Sequence, residues 1–175
     1  MTESRDYCLP EELVAAARKV IDANRAAGLR IAVAESCTGG LVSAALTEVA
    51  GSSDVFEAGF VTYANDAKQG MLRVSPEVLD TFGAVSVAVA WAMAQGVIEK
   101  TEADTAVAIT GIAGPHGGSD KKPVGTVVFA RARRGASPDE IVADTKEFGD
   151  LGRGGVRLQA ALCALELLMP VEESP

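Results

Sequence analysis

Leu29-Arg30-Ile31-Ala32-Val33-Ala34 is a short apolar run that breaks abruptly into Glu35-Ser36-Cys37-Thr38-Gly39-Gly40, and from Leu41 to about Val49 the chain is apolar again with helical spacing. The pattern reads as a buried strand, a tight polar loop and a helix. Upstream, Pro10-Glu11-Glu12 opens an amphipathic helix in which Leu13, Ala17, Val20, Ile21 and Asn24 share one face and which ends near Gly28. Downstream, Phe56 to Tyr63 is expected to be a second strand. Asn65-Asp66 are expected to cap a helix from Ala67 to about Leu72, Ser75 a short helix begun by Pro76, and Ser86 a largely buried helix from Val87 to about Lys100.

Three further β-branched segments, Thr105 to Ile109, Gly125 to Arg131 and Ile141 to Glu147, predict strands. The last two are expected to pair antiparallel across the turn-rich stretch from Arg133 to Pro138. Val156 to Met169 predicts a closing helix interrupted only by Arg157, Gln159 and Glu166 among its polar positions. So wide an apolar surface calls for burial on two sides, and a second subunit is one way to supply the second. The alternation gives a single three-layer α/β/α domain on a mixed, partly parallel sheet, spanning 1–175 with its core at about 11–169. No repeat, linker or low-complexity tract interrupts it.

The 175 residues match one domain at the usual ~100 to 200 residues per domain. A net charge of −8 repels nucleic-acid phosphates and anionic lipid over most of the surface, so nucleic-acid and membrane partners are not expected. A small anionic substrate remains compatible if a few arginines or helix amino termini make a locally positive pocket. Cys8, Cys37 and Cys163 form neither a disulfide framework nor a zinc-ligand pattern, and point to reduced thiols in the cytoplasm. The amino-terminal Met1–Asp6 lacks the features of a secretory signal, and no apolar run reaches the ~18 residues of a membrane span. The single histidine, His116, excludes a metal centre built from two or three imidazoles, and it reads as a loop residue.

Two glycine- and hydroxyl-rich loops follow buried strands, where open α/β sheets place their ligands. In the first, Ser36 precedes Thr38-Gly39-Gly40 at a helix amino terminus, a position for a nucleophile beside backbone N–H donors. The alternative is that Ser36 or Thr38 only caps that helix. Cys37 is the rival nucleophile, since a helix amino terminus lowers a thiol pKa, but adjacent residues point to opposite faces and only one is expected in the pocket. Lys68 falls in the first turn of the next helix, electrostatically unfavourable for an ammonium. With burial, this makes a neutral amine available as general base, and Tyr63 is placed to relay the proton or to hold Lys68 by hydrogen bonding. The second loop, Thr110 to Gly118, allows close backbone approach to a ligand or is simply a long turn. Arg153 and Arg157 are cationic donors for a carboxylate or phosphate, or partners of surface carboxylates.

Ala34 to Gly40, Gly51-Ser52-Ser53, Gly59 to Asn65 with Lys68, Gly83 to Ser86, and Gly111 to Pro115 through Lys122 to Thr126 together resemble the CinA carboxy-terminal domain family over residues of about 11 to 169. The resemblance implies hydrolysis of the carboxamide of nicotinamide mononucleotide to nicotinate mononucleotide and ammonia, in pyridine-nucleotide salvage, with no metal or organic cofactor. Serine, tyrosine and lysine of the family's motifs carry over to Ser36, Tyr63 and Lys68. In that reading Thr38, Gly39 and Gly40 lie at the reacting end, the Gly39 and Gly40 amides holding the oxyanion. Thr110, Gly111 and Ala113 line the nucleotide side, and Arg153 or Arg157 meets the 5′-phosphate. Long members carry an additional amino-terminal domain with ADP-ribose pyrophosphatase activity, which is not expected here. The run Gly149 to Arg157 is looser than the family's Gly-Asp-Arg pattern, which leaves the choice of arginine open. A catalytically silent nucleotide-binding or interaction module, and an amidase for another small amide, are the competing functions.

Overall fold

α1 (Glu11–Ala27) ends at Gly28, whose left-handed φ of 68° closes the helix. β1 (Ile31–Glu35), α2 (Leu41–Thr47), β2 (Phe56–Val61), α3 (Asn65–Leu72), α4 (Pro76–Phe82) and α5 (Val87–Lys100) follow, then β3 (Thr105–Gly111), β4 (Thr126–Arg133), β5 (Val142–Glu147) and α6 (Gly152–Leu167). This computed structural model describes residues 7–137 and 139–171; Met1–Asp6 and Pro138, both read above, lie outside the described residues.

The five strands run in the order β2-β1-β3-β4-β5. β1 pairs parallel with β2 and β3, while β4 is antiparallel to both β3 and β5. The sheet is therefore mixed, as expected, and helices cover both faces. Strand alternation sorts the core into two clusters. Ile31 and Val33 of β1 and Val107 and Ile109 of β3 face α1, α2 and α6. Ala32, Ala34, Ala106 and Ala108 face α3, α4 and α5, where Leu72, Met93 and Val97 fill the space left by the small side chains. Gly96 of α5 belongs to the same contact, since a Cβ there would collide with the Leu72 carbonyl of α3.

Three details differ from the sequence reading. Asn65 and Asp66 do not cap α3: Ala64 is the cap residue and no side chain bonds the free amides. Ser75 does stand at the cap of α4, but its hydroxyl meets the Glu77 carboxylate instead of a backbone amide. α6 begins at Gly152, four residues before the expected start at Val156, with Gly152, Gly154 and Gly155 in its first turn. Ser86 does cap α5, accepting from the Val89 amide at 3.2 Å. α6 buries one stripe of Val156, Ala160, Ala161, Ala164 and Leu165, and its other positions stay partly open.

Candidate active site

β1 and β3 lie side by side in parallel register, Glu35 opposite Ile109, so the loops that leave them converge at one end of the sheet. The alternation that points Ile31 and Val33 to one face and Ala32 and Ala34 to the other continues into this loop. Glu35 belongs to the α2 side and Ser36 to the α3 side. Lys68 projects from α3 on that second side, and its Nζ lies 3.2 Å from Ser36 Oγ. The lysine is 1% exposed, one of the largest fully buried side chains among the described residues.

Lys68 Nζ donates to the main-chain carbonyls of Thr62 at 2.8 Å and Tyr63 at 3.2 Å. No carboxylate pairs with it among the described residues. Burial holds its pKa below the ordinary lysine value, the nearby Cys37 opposing this to a smaller degree. A neutral amine has two N–H donors and one lone pair; the two carbonyls use the donors, which leaves the lone pair for the Ser36 hydroxyl.

Tyr63 takes part differently than expected. It is its carbonyl that holds Lys68, whereas its largely exposed phenol accepts from Arg153 Nη2 at 3.0 Å. The other arm of Arg153 donates to the Gly114 carbonyl at 2.8 Å. Ser36, Tyr63, Lys68, Thr110, Gly111, Ala113 and Arg153 line one cavity of about 200 Å³, completed by Cys37, Ala84 and Val85. Thr110 Oγ1 donates to the Ala84 carbonyl at 2.8 Å, tying the β3 end to the segment before α5. Ala113 and Arg153 also border a neighbouring cavity of about 300 Å³ with Pro115, Val124, Asp150 and Gly152.

Neither Ser36 nor Thr38 caps α2. The cap is Glu35, fully buried, whose carboxylate accepts from the amides of Gly40 (3.0 Å), Val42 (3.1 Å) and Ser43 (2.8 Å) and from the Ser43 hydroxyl (2.8 Å). Sequence reading missed this residue, although an acid at the end of an all-apolar strand is itself a signal that something must satisfy it. The Gly39 amide donates to the Ser36 carbonyl at 3.0 Å. The amides of Gly39 and Gly40 are thus both engaged, which removes them as oxyanion donors, and Thr38, Gly39 and Gly40 lie off the cavity lining.

Cys37 sits in the α1/α2/α6 core cluster while also contributing to the cavity wall, so both neighbours reach the pocket where one was expected. Burial pushes its thiol up to about 11, against the lowering expected at a helix end. Arg157 does not line the cavity: its Nε and Nη2 donate to the carbonyls of Cys37 at 3.2 Å and Thr38 at 3.0 Å. His116 is exposed on its loop. Among the described residues no helix is long and apolar enough to cross a membrane, and no group of three or more His, Cys, Asp or Glu is placed to hold a metal ion.

Residues 14–171 match the family described as the CinA C-terminal domain. The chain is 46% identical over 166 residues to the nicotinamide-nucleotide amidohydrolase PncC of Enterobacter agglomerans, covering 95% of this chain and 94% of the relative. It is 48% identical over 157 residues to the PncC of Escherichia coli, covering 90% and 93%. A competence-damage inducible protein of Symbiobacterium thermophilum is 51% identical over 147 residues, and there the match covers 81% of this chain but 34% of the relative. The chain thus spans about a third of that longer relative and nearly all of the two shorter ones. The crystal structure of the competence/damage inducible protein CihA from Agrobacterium tumefaciens superposes with a TM-score of 0.87 at 48% identity, covering 93% of this chain and 96% of that one.

Proposed function

The chain belongs to the CinA C-terminal domain family, and from that membership we propose that it hydrolyses nicotinamide mononucleotide to nicotinate mononucleotide and ammonia. The observation that carries the reading is the contact between Lys68 Nζ and Ser36 Oγ, a buried amine with no counter-ion among the described residues against a hydroxyl in a cavity wall. Ser36 Oγ attacks the amide carbon while Lys68 takes the hydroxyl proton. As the C–N bond breaks, the Lys68 ammonium returns that proton to the leaving nitrogen, and ammonia departs. Water then attacks the acyl-enzyme, giving its proton to Lys68, and the acid is released as Ser36 regains a hydrogen.

The smaller cavity accepts the carboxamide-bearing ring, walled by Thr110, Gly111, Ala113, Ala84 and Val85. Arg153, which borders both cavities, is the residue we assign to the 5′-phosphate, with Tyr63 steadying it. No metal or organic cofactor enters this chemistry. The reading places the enzyme in the cytoplasm as a single domain and as a homo-oligomer, the partly open side of α6 supporting the latter; a monomeric mass by light scattering at micromolar concentration counts against the oligomer.

The test is to incubate purified protein with nicotinamide mononucleotide and follow ammonia together with the mass change of amide to acid. Turnover in the wild type and its loss in Ser36→Ala is the expected result. Nucleotide binding by calorimetry without turnover favours a silent binding module. Turnover of other small amides in preference to the nucleotide favours a different amidase.

A further inference from the structure

Arg157 lies one turn beyond Arg153 on α6, yet it grips the protein instead of facing the cavity. A trans peptide holds its C=O and N–H antiparallel. Pinning the Cys37 carbonyl from the α6 side therefore aims the Thr38 amide away from α6. The Gly39 amide, by taking the Ser36 carbonyl, fixes the Cys37 amide in the same manner. Neither the Cys37 nor the Thr38 amide donates to an oxygen of any described residue, and the acceptor they approach is the weak sulfur of Cys37, although Thr38 is fully buried and Cys37 nearly so. Buried amides are almost always well paired, so amides left with so weak a partner directly after a nucleophile call for an acceptor that arrives with the reaction, and of the two residues it is Cys37 that lines the cavity. Both lie close enough to the Cys37 thiol to favour its anion, against the stronger effect of burial.

We infer that Arg157 is a positioning residue: its hold on the Thr38 carbonyl fixes the Gly39 amide of the same peptide, the Gly39 amide fixes the Ser36 carbonyl, and the Cys37 amide opposite that carbonyl is thereby aligned to receive the oxyanion of the tetrahedral intermediate, while Arg157 does not touch the substrate's phosphate. Of the two arginines left open by the sequence, this gives Arg153 to the ligand and Arg157 to the turn. The inference rests on acyl transfer to Ser36 as proposed above.

The experiment compares wild type with Arg157→Lys and Arg157→Ala on nicotinamide mononucleotide and on p-nitrophenyl acetate, a small ester whose acyl transfer to Ser36 passes through the same kind of oxyanion. Melting curves are recorded first. Misaligned donors are expected to lower kcat roughly 10²-fold on both substrates, with KM for the nucleotide changed by less than about threefold. Added methylguanidinium is expected to restore part of the rate in Arg157→Ala but not in Arg157→Lys.

A rise of about tenfold or more in nucleotide KM at unchanged kcat makes Arg157 a phosphate ligand and overturns the inference. Unchanged kinetics on both substrates overturn it as well. So does failure of the Lys variant to fold, since the role is then one of stability. A wild type inert toward the nucleotide, but acylated by the ester at Ser36 in an Arg157-dependent way, sustains the inference and removes the nicotinamide reading. Absence of any Ser36 acylation in the wild type removes both.

Discussion

Arg153 and Tyr63 meet at the rim of the cavity, the guanidinium donating to the phenol oxygen at 3.0 Å, while Lys68 bonds the Tyr63 carbonyl and not its phenol. Tyr63→Phe keeps the main-chain carbonyl that holds Lys68 and loses only the bond to Arg153. The expected result is a rise in KM of about three- to tenfold with kcat within about twofold of wild type. Steady-state kinetics decide it, and a collapse of kcat would return the phenol to the proton path.

The Lys68 amine sets the pH behaviour. Activity is expected to rise with pH along an acid limb whose midpoint lies below the ordinary lysine value of 10.5, because the base must be neutral. Lys68→Met is expected to lose about 10³-fold in kcat. Stability carries the same signature. Between the lowered folded value and 10.5 the unfolded chain binds more protons, so wild-type stability increases with pH through that window. Denaturant midpoints measured against pH are expected to show this slope in the wild type and to lack it in Lys68→Met.

Glu35 is expected to matter to stability first. Glu35→Ala leaves three amides and the Ser43 hydroxyl without their buried acceptor. At about 1 to 3 kcal/mol for each buried group left unsatisfied, and with partial relaxation, a loss of about 3 kcal/mol is expected. That corresponds to roughly 6 to 12 °C in Tm for a chain of this size. Glu35→Gln should lose less, since one oxygen still accepts while the new NH₂ opposes the remaining amides. Thermal melts of the two variants test the order.

Cys37 is expected to be a slow thiol. With its pKa pushed up to about 11, little thiolate forms near neutrality. Iodoacetamide labelling followed by mass spectrometry should find Cys37 unmodified at pH 7.5 over times that label a free thiol, with the rate climbing about tenfold per pH unit above that. Fast labelling at neutral pH would restore the sulfur as a nucleophile.

The layered fold was legible from periodicity, whereas Lys68 stood out as a lysine in the first turn of a helix and its link to Ser36 came with the resemblance to the family's serine, tyrosine and lysine. A strand's alternation decides which face Ser36 joins. The cap of α2 was not legible, because a glutamate ending an apolar strand reads locally as the strand's last residue; only the return of the chain shows that its carboxylate meets three amides of the next helix. The division between Arg153 and Arg157 was hidden for a related reason. Both arginines sit on the first two turns of α6, and what separates them is which distant backbone each long side chain reaches, Gly114 for one and Cys37 with Thr38 for the other. Glycines at 152, 154 and 155 further disguised the helix that carries them.

Ser36 is delivered by a strand end fastened to the α1/α2/α6 layer, and Lys68 by a helix of the opposite layer. The contact between them exists only when both layers are docked on the sheet. On the proposed mechanism a chain with only one layer docked is expected to be inert, and regain of turnover after dilution from denaturant would report the closing of the complete sandwich.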